Sequence, residues 1–176
     1  MNYQLVPPSA AYVRSYAAYI RELGDEERYP FPLDYDHDDF RALLRRLDNL
    51  ARGIDVPEGF VPSSTFWLVD GDELVGVSNL RHELNDRIRE IGGHIGLGIR
   101  PTYRGRGLGN RLLGLTIAEA RRRGITPIHI HCHKHNAASA RMIASNGGVL
   151  ESEVAEPGST EIVQRWLISP MVAAPP

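Results

Sequence analysis

The residues best placed for chemistry lie in one stretch, Ile99-Arg100-Pro101-Thr102-Tyr103-Arg104-Gly105-Arg106-Gly107-Leu108-Gly109-Asn110, where a strand pattern gives way to a helix pattern across a glycine-rich turn. Glycines at 105, 107 and 109 remove side chains where a ligand must approach the backbone. A helix amino terminus offers unpaired N–H groups and a partial positive charge, so such a turn suits a phosphate or pyrophosphate. Arg104 and Arg106 add full charges nearby. What is missing narrows the ligand. A nucleotide-hydrolysing P-loop needs Gly-Lys-Ser or Gly-Lys-Thr where Leu108-Gly109-Asn110 stands. A dinucleotide fingerprint starting at Gly105 needs a glycine where Asn110 stands, and an early strand-helix-strand unit that the chain lacks. ATP or GTP hydrolysis and NAD binding are therefore set aside.

Arg104, Gly107 and Gly109 also satisfy the pattern Gln or Arg, two residues, Gly, one residue, Gly or Ala. In that pattern, and in Asn136-Ala137-Ala138-Ser139 followed by Asn146-Gly147-Gly148, the sequence resembles the GNAT superfamily of N-acetyltransferases, with the likeness densest from Ile91 to Leu150. It is most similar to a bacterial group of predicted acetyltransferases sharing Leu80-Arg81-His82 and Gly93-His94-Ile95-Gly96. The resemblance implies acetyl-CoA as co-substrate, no metal, an amine acceptor that is a small molecule or a peptide, and room for a homodimer. It implies that the turn from Arg104 through Gly105, Arg106, Gly107, Leu108 and Gly109 to Asn110 wraps the pyrophosphate, while Leu97, Gly98 and Ile99 pair with the pantetheine arm. Asn136 and Ser139 would lie near the pantetheine or the phosphates; Asn136 is also a good N-cap for the helix that follows.

The strand before the turn agrees on its own terms. In Gly93–Ile99, Ile95, Leu97 and Ile99 share one face, and His94, Gly96 and Gly98 share the other, which is nearly bare. Glycine inside a strand often marks a close approach by a ligand, or else a tightly packed face. Acetyl transfer to an amine needs a base, because amines are charged at pH 7, and a proton for the departing thiolate. The resemblance suggests a strand carboxylate as base and a tyrosine as acid. Ile143 stands at the tyrosine's place, so Ser139 or water must substitute. His94 is the first candidate base, and Glu83 or His82, at the end of the preceding strand, is the second choice for base or acceptor contact.

His129, His131 and His133 alternate along a later strand, with His135 and Cys132 close by. Neighbours two apart on a strand rarely converge on one zinc, so they are expected to line the groove opposite the glycine-rich strand or to pack under the co-substrate. Cys132 shares the opposite face with Ile128 and Ile130 and reads as buried and inert. The run Asp34, Asp36, Asp38 and Asp39 borders the acceptor side by the resemblance, but aspartates also favour a helix entry.

Around these residues the expected elements run as a strand over Asn2–Val6, helices over Ala10–Leu23 and Asp38–Ala51, and a hairpin of Thr65–Val69 and Glu73–Leu80 joined through Asp70-Gly71-Asp72. Asn85–Glu90 reads as a polar connection. Then come the strand Gly93–Ile99, a helix from Gly107 to Arg123, the strand Pro127–Cys132, a helix Ala137–Ser145, and strands over Val149–Val154 and Glu161–Ile168. That order predicts an α/β (α+β) fold: a mixed, mostly antiparallel sheet of six to seven strands flanked by about four helices. One domain is expected over 1–169, with 1–62 on the acceptor side and 63–169 forming the sheet and CoA-binding core; the Pro-Ala tail 170–176 is expected to fray.

The 176 residues, 42% hydrophobic and 24% charged, suit one globular domain with a proper core. Twenty basic residues, of which only Lys134 is lysine, against twenty-two acidic ones leave a net charge of -2, which gives no field for holding a nucleic acid. No run approaches the ~20 apolar residues of a membrane span and no leader pattern precedes the domain, so a cytoplasmic address is expected. Two function classes compete: an N-acetyltransferase in which the amine attacks the thioester directly, and a GNAT-like module that senses CoA thioesters without turnover, which the missing tyrosine would favour. A metal protein built on the histidine strand is a third.

Overall fold

The computed structural model describes residues 2–170, so the tail expected to fray lies outside the described residues from 171 onward. β1 (Tyr3–Val6), β2 (Ser63–Asp70), β3 (Glu73–Arg81) and β4 (Ile95–Ile99) form a four-stranded sheet in that order. β5 (Ile128–His133), β7 (Ile162–Ile168) and β6 (Val149–Ala155) form a three-stranded one in that order. Every ladder within them is antiparallel. The helices are α1 (Val13–Leu23), α2 (Phe40–Arg52), α3 (Asp86–Ile91), α4 (Leu108–Arg122) and α5 (Ala137–Ser145). The expected α/β class is what forms, with its strands divided between two sheets.

The β2–β3 hairpin turns at Gly71, whose φ of +57° is left-handed, and pairs Asp70 with Glu73. Both strands are buried on both faces. Trp67, Val69 and Val77 pack against Tyr16 and Tyr19 of α1 and Leu43 and Leu47 of α2. On the other side Leu68 and Val75 meet Leu108 and Leu112 of α4, while Phe66 and Leu80 join Leu113 and Ile117. Burying a side chain of this size is worth roughly 1.5–3 kcal/mol, so this two-sided packing fixes α4 and α1 relative to the sheet. Arg100, just past β4 and 8% exposed, adds a polar tie: it donates to Glu22 of α1 at 2.7 Å and to Glu73 at 2.6 Å.

One element departs from the sequence reading. Asn85–Glu90, read as a polar connection, is where α3 forms, with Asn85 capping it by accepting the Ile88 N–H at 2.9 Å. Six residues are too few for an apolar stripe to show, so only the cap betrays this helix.

Among the described residues the two sheets are joined through backbone hydrogen bonds at one place. Beside β4 and β5 there is one bridge, Gly93 to Ile130, with the His94 N–H donating to the His129 carbonyl at 2.7 Å. Gly93 is required there: its φ is +69°, and a Cβ would stand 2.7 Å from the His129 carbonyl oxygen. Beyond it β4 pairs only with β3 and β5 only with β7, so two strand edges diverge into a wedge.

Candidate active site

The glycine-rich turn lies where the end of β4 feeds into α4. Gly105 and Gly107 both take left-handed backbone, φ +74° and +75°, and Gly107 is the N-cap of α4. A Cβ at either would meet nothing within 4 Å, so glycine is needed here for its conformation and the space beside it is open. Among the described residues, no protein acceptor takes the backbone N–H of any residue from 105 to 110; the first helical bond runs from Arg111 N–H to Gly107 at 3.3 Å. Main chain of this kind, at the positive end of a 15-residue helix, is suited to an anion.

The two arginines have different situations. Arg104 donates from Nη2 to the Glu26 carboxylate at 2.7 Å and from Nε to the Ile99 carbonyl at 3.0 Å, so its charge is engaged in bracing the turn. Arg106 stays exposed, with one Nη bonded to the Thr102 carbonyl at 2.9 Å and its guanidinium 5.2 Å from the Tyr103 ring centre.

α5 joins this turn to a cavity. Asn146, its C-cap, donates to Asn110 Oδ1 at 2.8 Å, and Met142 packs so close to Gly109 that a Cβ there would lie 3.2 Å from its sulfur. Ser139, three residues before Met142, shares that face. Asn136 caps α5 by accepting the Ser139 N–H at 3.0 Å. Asn136 and Ser139 both line a cavity of about 460 Å³ beside the wedge, together with Tyr29, Phe31, Phe60, Arg81, His131, His133 and Cys132. Ile143, at the place of the family's tyrosine, is buried in the core.

The cavity is polar at its inner wall. His131 is 8% exposed, and neither ring nitrogen has a partner; burial, aided by Arg165, His129, His94 and Arg81, pulls it down to about 3 and keeps it neutral. Arg81 donates from Nη1 to the Gly93 carbonyl at 2.8 Å, which pins the apex of the wedge, and has no carboxylate partner among the described residues. Burial raises the Cys132 thiol, so it stays protonated. Tyr29 is 45% exposed as a residue, yet its hydroxyl end is packed in, where it would touch a Cβ on Gly96 at 2.7 Å. The face of β4 that reads as bare in sequence is thus covered by Tyr29 and Pro30, and Gly96 and Gly98 make room for them. Leu97, Gly98 and Ile99 are half-buried, and the side of β4 away from β3 is the open edge of the wedge.

The structure does not bring His94 or Glu83 to this cavity. His94 is buried and lines a second pocket of about 400 Å³ near the carboxyl end of α4, with His82, Arg89, Arg123 and His129. Glu83 is exposed and lines neither. Of the histidine strand, His131 and His133 face the cavity and His129 the second pocket. Among the described residues no group of three or more His, Cys, Asp or Glu is placed to hold a metal. Sequence reasoning missed Tyr29, in a loop with no periodicity, and gave Arg81 no role although it stands in the quoted Leu-Arg-His stretch.

A glycine-rich turn at the start of α4 is joined by one face of α5 to a cavity beside β5, an arrangement with room for a long phosphorylated co-substrate. The chain belongs to the acetyltransferase (GNAT) family, whose model matches residues 18–147. A search of curated protein sequences found no significant match. Similar solved structures include the ribosomal-protein-S5-alanine acetyltransferase from Vibrio fischeri, with 17% identity, TM-score 0.70, and 99% of this chain and 97% of that one covered. Another is RimL, a ribosomal L7/L12 alpha-N-protein acetyltransferase in complex with coenzyme A, with 16% identity, TM-score 0.69, and coverage of 96% and 94%. A third is a chimera of the spermidine N-acetyltransferase SpeG from Vibrio cholerae and hSSAT, with 18% identity, TM-score 0.64, and 96% of each chain covered. At these identities the likeness is one of fold. No helix among the described residues is long and apolar enough to cross a membrane.

Proposed function

We propose that the protein transfers the acetyl group of acetyl-CoA to a primary amine of a small molecule or peptide by direct attack. The observation that carries this reading is the run of backbone N–H groups from 105 to 110 without protein acceptors, at the start of α4 and beside open space. There Gly105, Gly107, Leu108, Gly109 and Asn110 offer main chain to the pyrophosphate, and Arg106 adds its charge. Arg104 serves the same site by holding the turn in shape. The open edge of β4 at Leu97, Gly98 and Ile99 suits the amides of pantetheine, and Asn136 and Ser139 flank the arm where it enters the cavity. The neighbours named above, which act on ribosomal proteins or spermidine and in one case hold coenzyme A, support the same class of reaction.

In the transfer, the neutral amine nitrogen bonds to the thioester carbon, the C–S bond breaks, and the proton that the nitrogen gives up ends on the departing thiolate. Direct attack is favoured over an acyl-enzyme because the one cysteine on the cavity, Cys132, is held in its unreactive thiol form by burial. With Ile143 at the usual acid's place, Tyr29 and Ser139 are the hydroxyl groups on the cavity able to return the proton. Ile143 also favours a second reading, a CoA-thioester sensor without turnover. Thiol release from acetyl-CoA over a panel of amines separates the two: acceptor-dependent thiol is the result expected of the enzyme, and tight CoA binding with no thiol from any amine is that of the sensor.

A further inference from the structure

Arg81 is one of the groups on the cavity that the transfer itself leaves unused. It sits at the end of β3, mostly out of water, with one nitrogen on the Gly93 carbonyl and no carboxylate opposite it among the described residues. Arg100 and Arg165, also withdrawn from water, each have such a partner: Glu22 and Glu73 for Arg100, and Glu90 for Arg165. A guanidinium withdrawn from water without a counter-charge is unfavourable, and Arg81 lines the cavity. Next to it His131 is neutral, nine-tenths buried, and lacks partners on both ring nitrogens. A carboxylate from outside would accept from the Arg81 guanidinium and from the one ring N–H of neutral His131.

The remainder of the wall says what such a ligand carries. Phe31 lies under the Arg81 guanidinium at 5.9 Å, and Phe31 and Phe60 pack edge to face at 5.2 Å, forming an aromatic side. Glu27 and Glu156 also line the cavity, Glu156 with its carboxylate 3.5 Å from His133, and their negative charge suits an arriving ammonium. We propose that the acceptor is a free amino acid with an apolar or aromatic side chain, its carboxylate held by Arg81 and His131, its side chain against Phe31 and Phe60, and its amine directed to the thioester. This rests on the acetyltransferase reading above and adds the acceptor class to it. A cavity of about 460 Å³ is of the size that takes a small ligand.

The test compares L-phenylalanine, L-leucine and L-methionine with their carboxamides as acceptors in the full-length protein, following thiol release, with CoA binding measured separately. Each carboxamide keeps the side chain and has the less basic amine, so intrinsic reactivity at neutral pH favours it. The expected result is kcat/KM at least tenfold higher for the acids. Arg81→Gln should erase that ratio while CoA affinity stays within twofold, and Arg81→Lys, which retains a cation for the Gly93 carbonyl, should keep part of it. The acid-to-amide ratio of the parent protein stands without any variant, so a folding defect in Arg81→Gln does not decide the matter. Carboxamides used as well as the acids, an equal loss on both in Arg81→Gln, or CoA binding with no thiol released by any of the three acids would each overturn the proposal. Failure to bind CoA at all would instead bring down the acetyltransferase reading.

Discussion

The Nδ1 of His94 accepts the backbone N–H of His129 at 3.0 Å. An amide nitrogen can only donate, so the ring proton of neutral His94 resides on Nε2, and neither nitrogen keeps a free lone pair for a substrate proton. Burial, with His129, Arg81 and Arg89 nearby, lowers His94 to about 4, and the ring lines the pocket away from Asn136 and Ser139. We propose that His94 clamps the apex of the wedge in place of the base role suggested by its strand position. In His94→Asn, which can still accept that N–H, kcat is expected within about threefold of the parent with an unchanged pH profile, alongside lower stability. A hundredfold loss of kcat with CoA affinity intact would return His94 to the catalytic list.

The buried imidazoles tie stability to acid. His94 sits at about 4 and His131 at about 3, against about 6.5 in an unfolded chain. Between these values the unfolded chain binds more protons than the folded one, so stability falls as pH drops below about 6.5 and levels off near the folded values. His94 alone contributes about 3 kcal/mol to that loss. Glu22 and Glu73, held below the ordinary carboxylate range by hydrogen bonds from Arg100, Thr102 and Ser15, add their own loss only below about 4.5. The window from 6.5 to 4.5 thus isolates the histidines. Urea midpoints are expected to fall across it, and His131→Leu should make the fall shallower; an unaltered slope would show that His131 is not held neutral by the fold.

How much of this was legible beforehand depends on which force placed each residue. The turn from Arg104 to Asn110 was readable because glycine spacing at a strand-helix junction is local chemistry, and Gly105 and Gly107 do adopt the left-handed backbone that such a turn requires. The hairpin at Gly71 and the Asn136 cap were readable for the same reason. Long-range packing was not. Nothing in Gly96 and Gly98 says whether a ligand or another part of the chain covers them, and Tyr29, some seventy residues earlier, does so from an aperiodic loop. Glu26 taking up the charge of Arg104 is equally non-local. Strand alternation puts His94, Gly96 and Gly98 on one face, but none of the three lines the cavity: His94 lies on the second pocket and the two glycines lie under Tyr29 and Pro30.

Arg100 makes the polar tie between α1 and the sheet testable. Its guanidinium, almost wholly out of water, bridges Glu22 and Glu73 and also donates to Ser15 Oγ at 3.1 Å. Removing one member of a buried pair costs about 3–5 kcal/mol, and because the Glu73 side chain is 51% exposed and regains water, Arg100→Ala is expected to lose about 2–3 kcal/mol in urea denaturation. Arg100→Lys, which cannot fork between two carboxylates, should fall in between. A loss under about 1 kcal/mol would mean that apolar packing alone seats α1.

The anion site at α4 can be probed by charge at constant shape. Asn and Asp are the side chains that best tolerate a left-handed residue, and a Cβ on Gly107 meets nothing within 4 Å, so Gly107→Asn and Gly107→Asp should both fold. They are nearly equal in size and differ by one negative charge. As an N-cap, aspartate also suits the positive end of α4, so any effect on CoA does not come from a weakened helix. The carboxylate at 107 would occupy the field that the pyrophosphate needs and repel it. Titration calorimetry with CoA is expected to show at least tenfold weaker binding for Gly107→Asp than for Gly107→Asn, with the gap narrowing as salt is raised. Equal affinities in the two variants would mean that the phosphates bind elsewhere, and with them the placement of the whole co-substrate along β4 and α5 would fall.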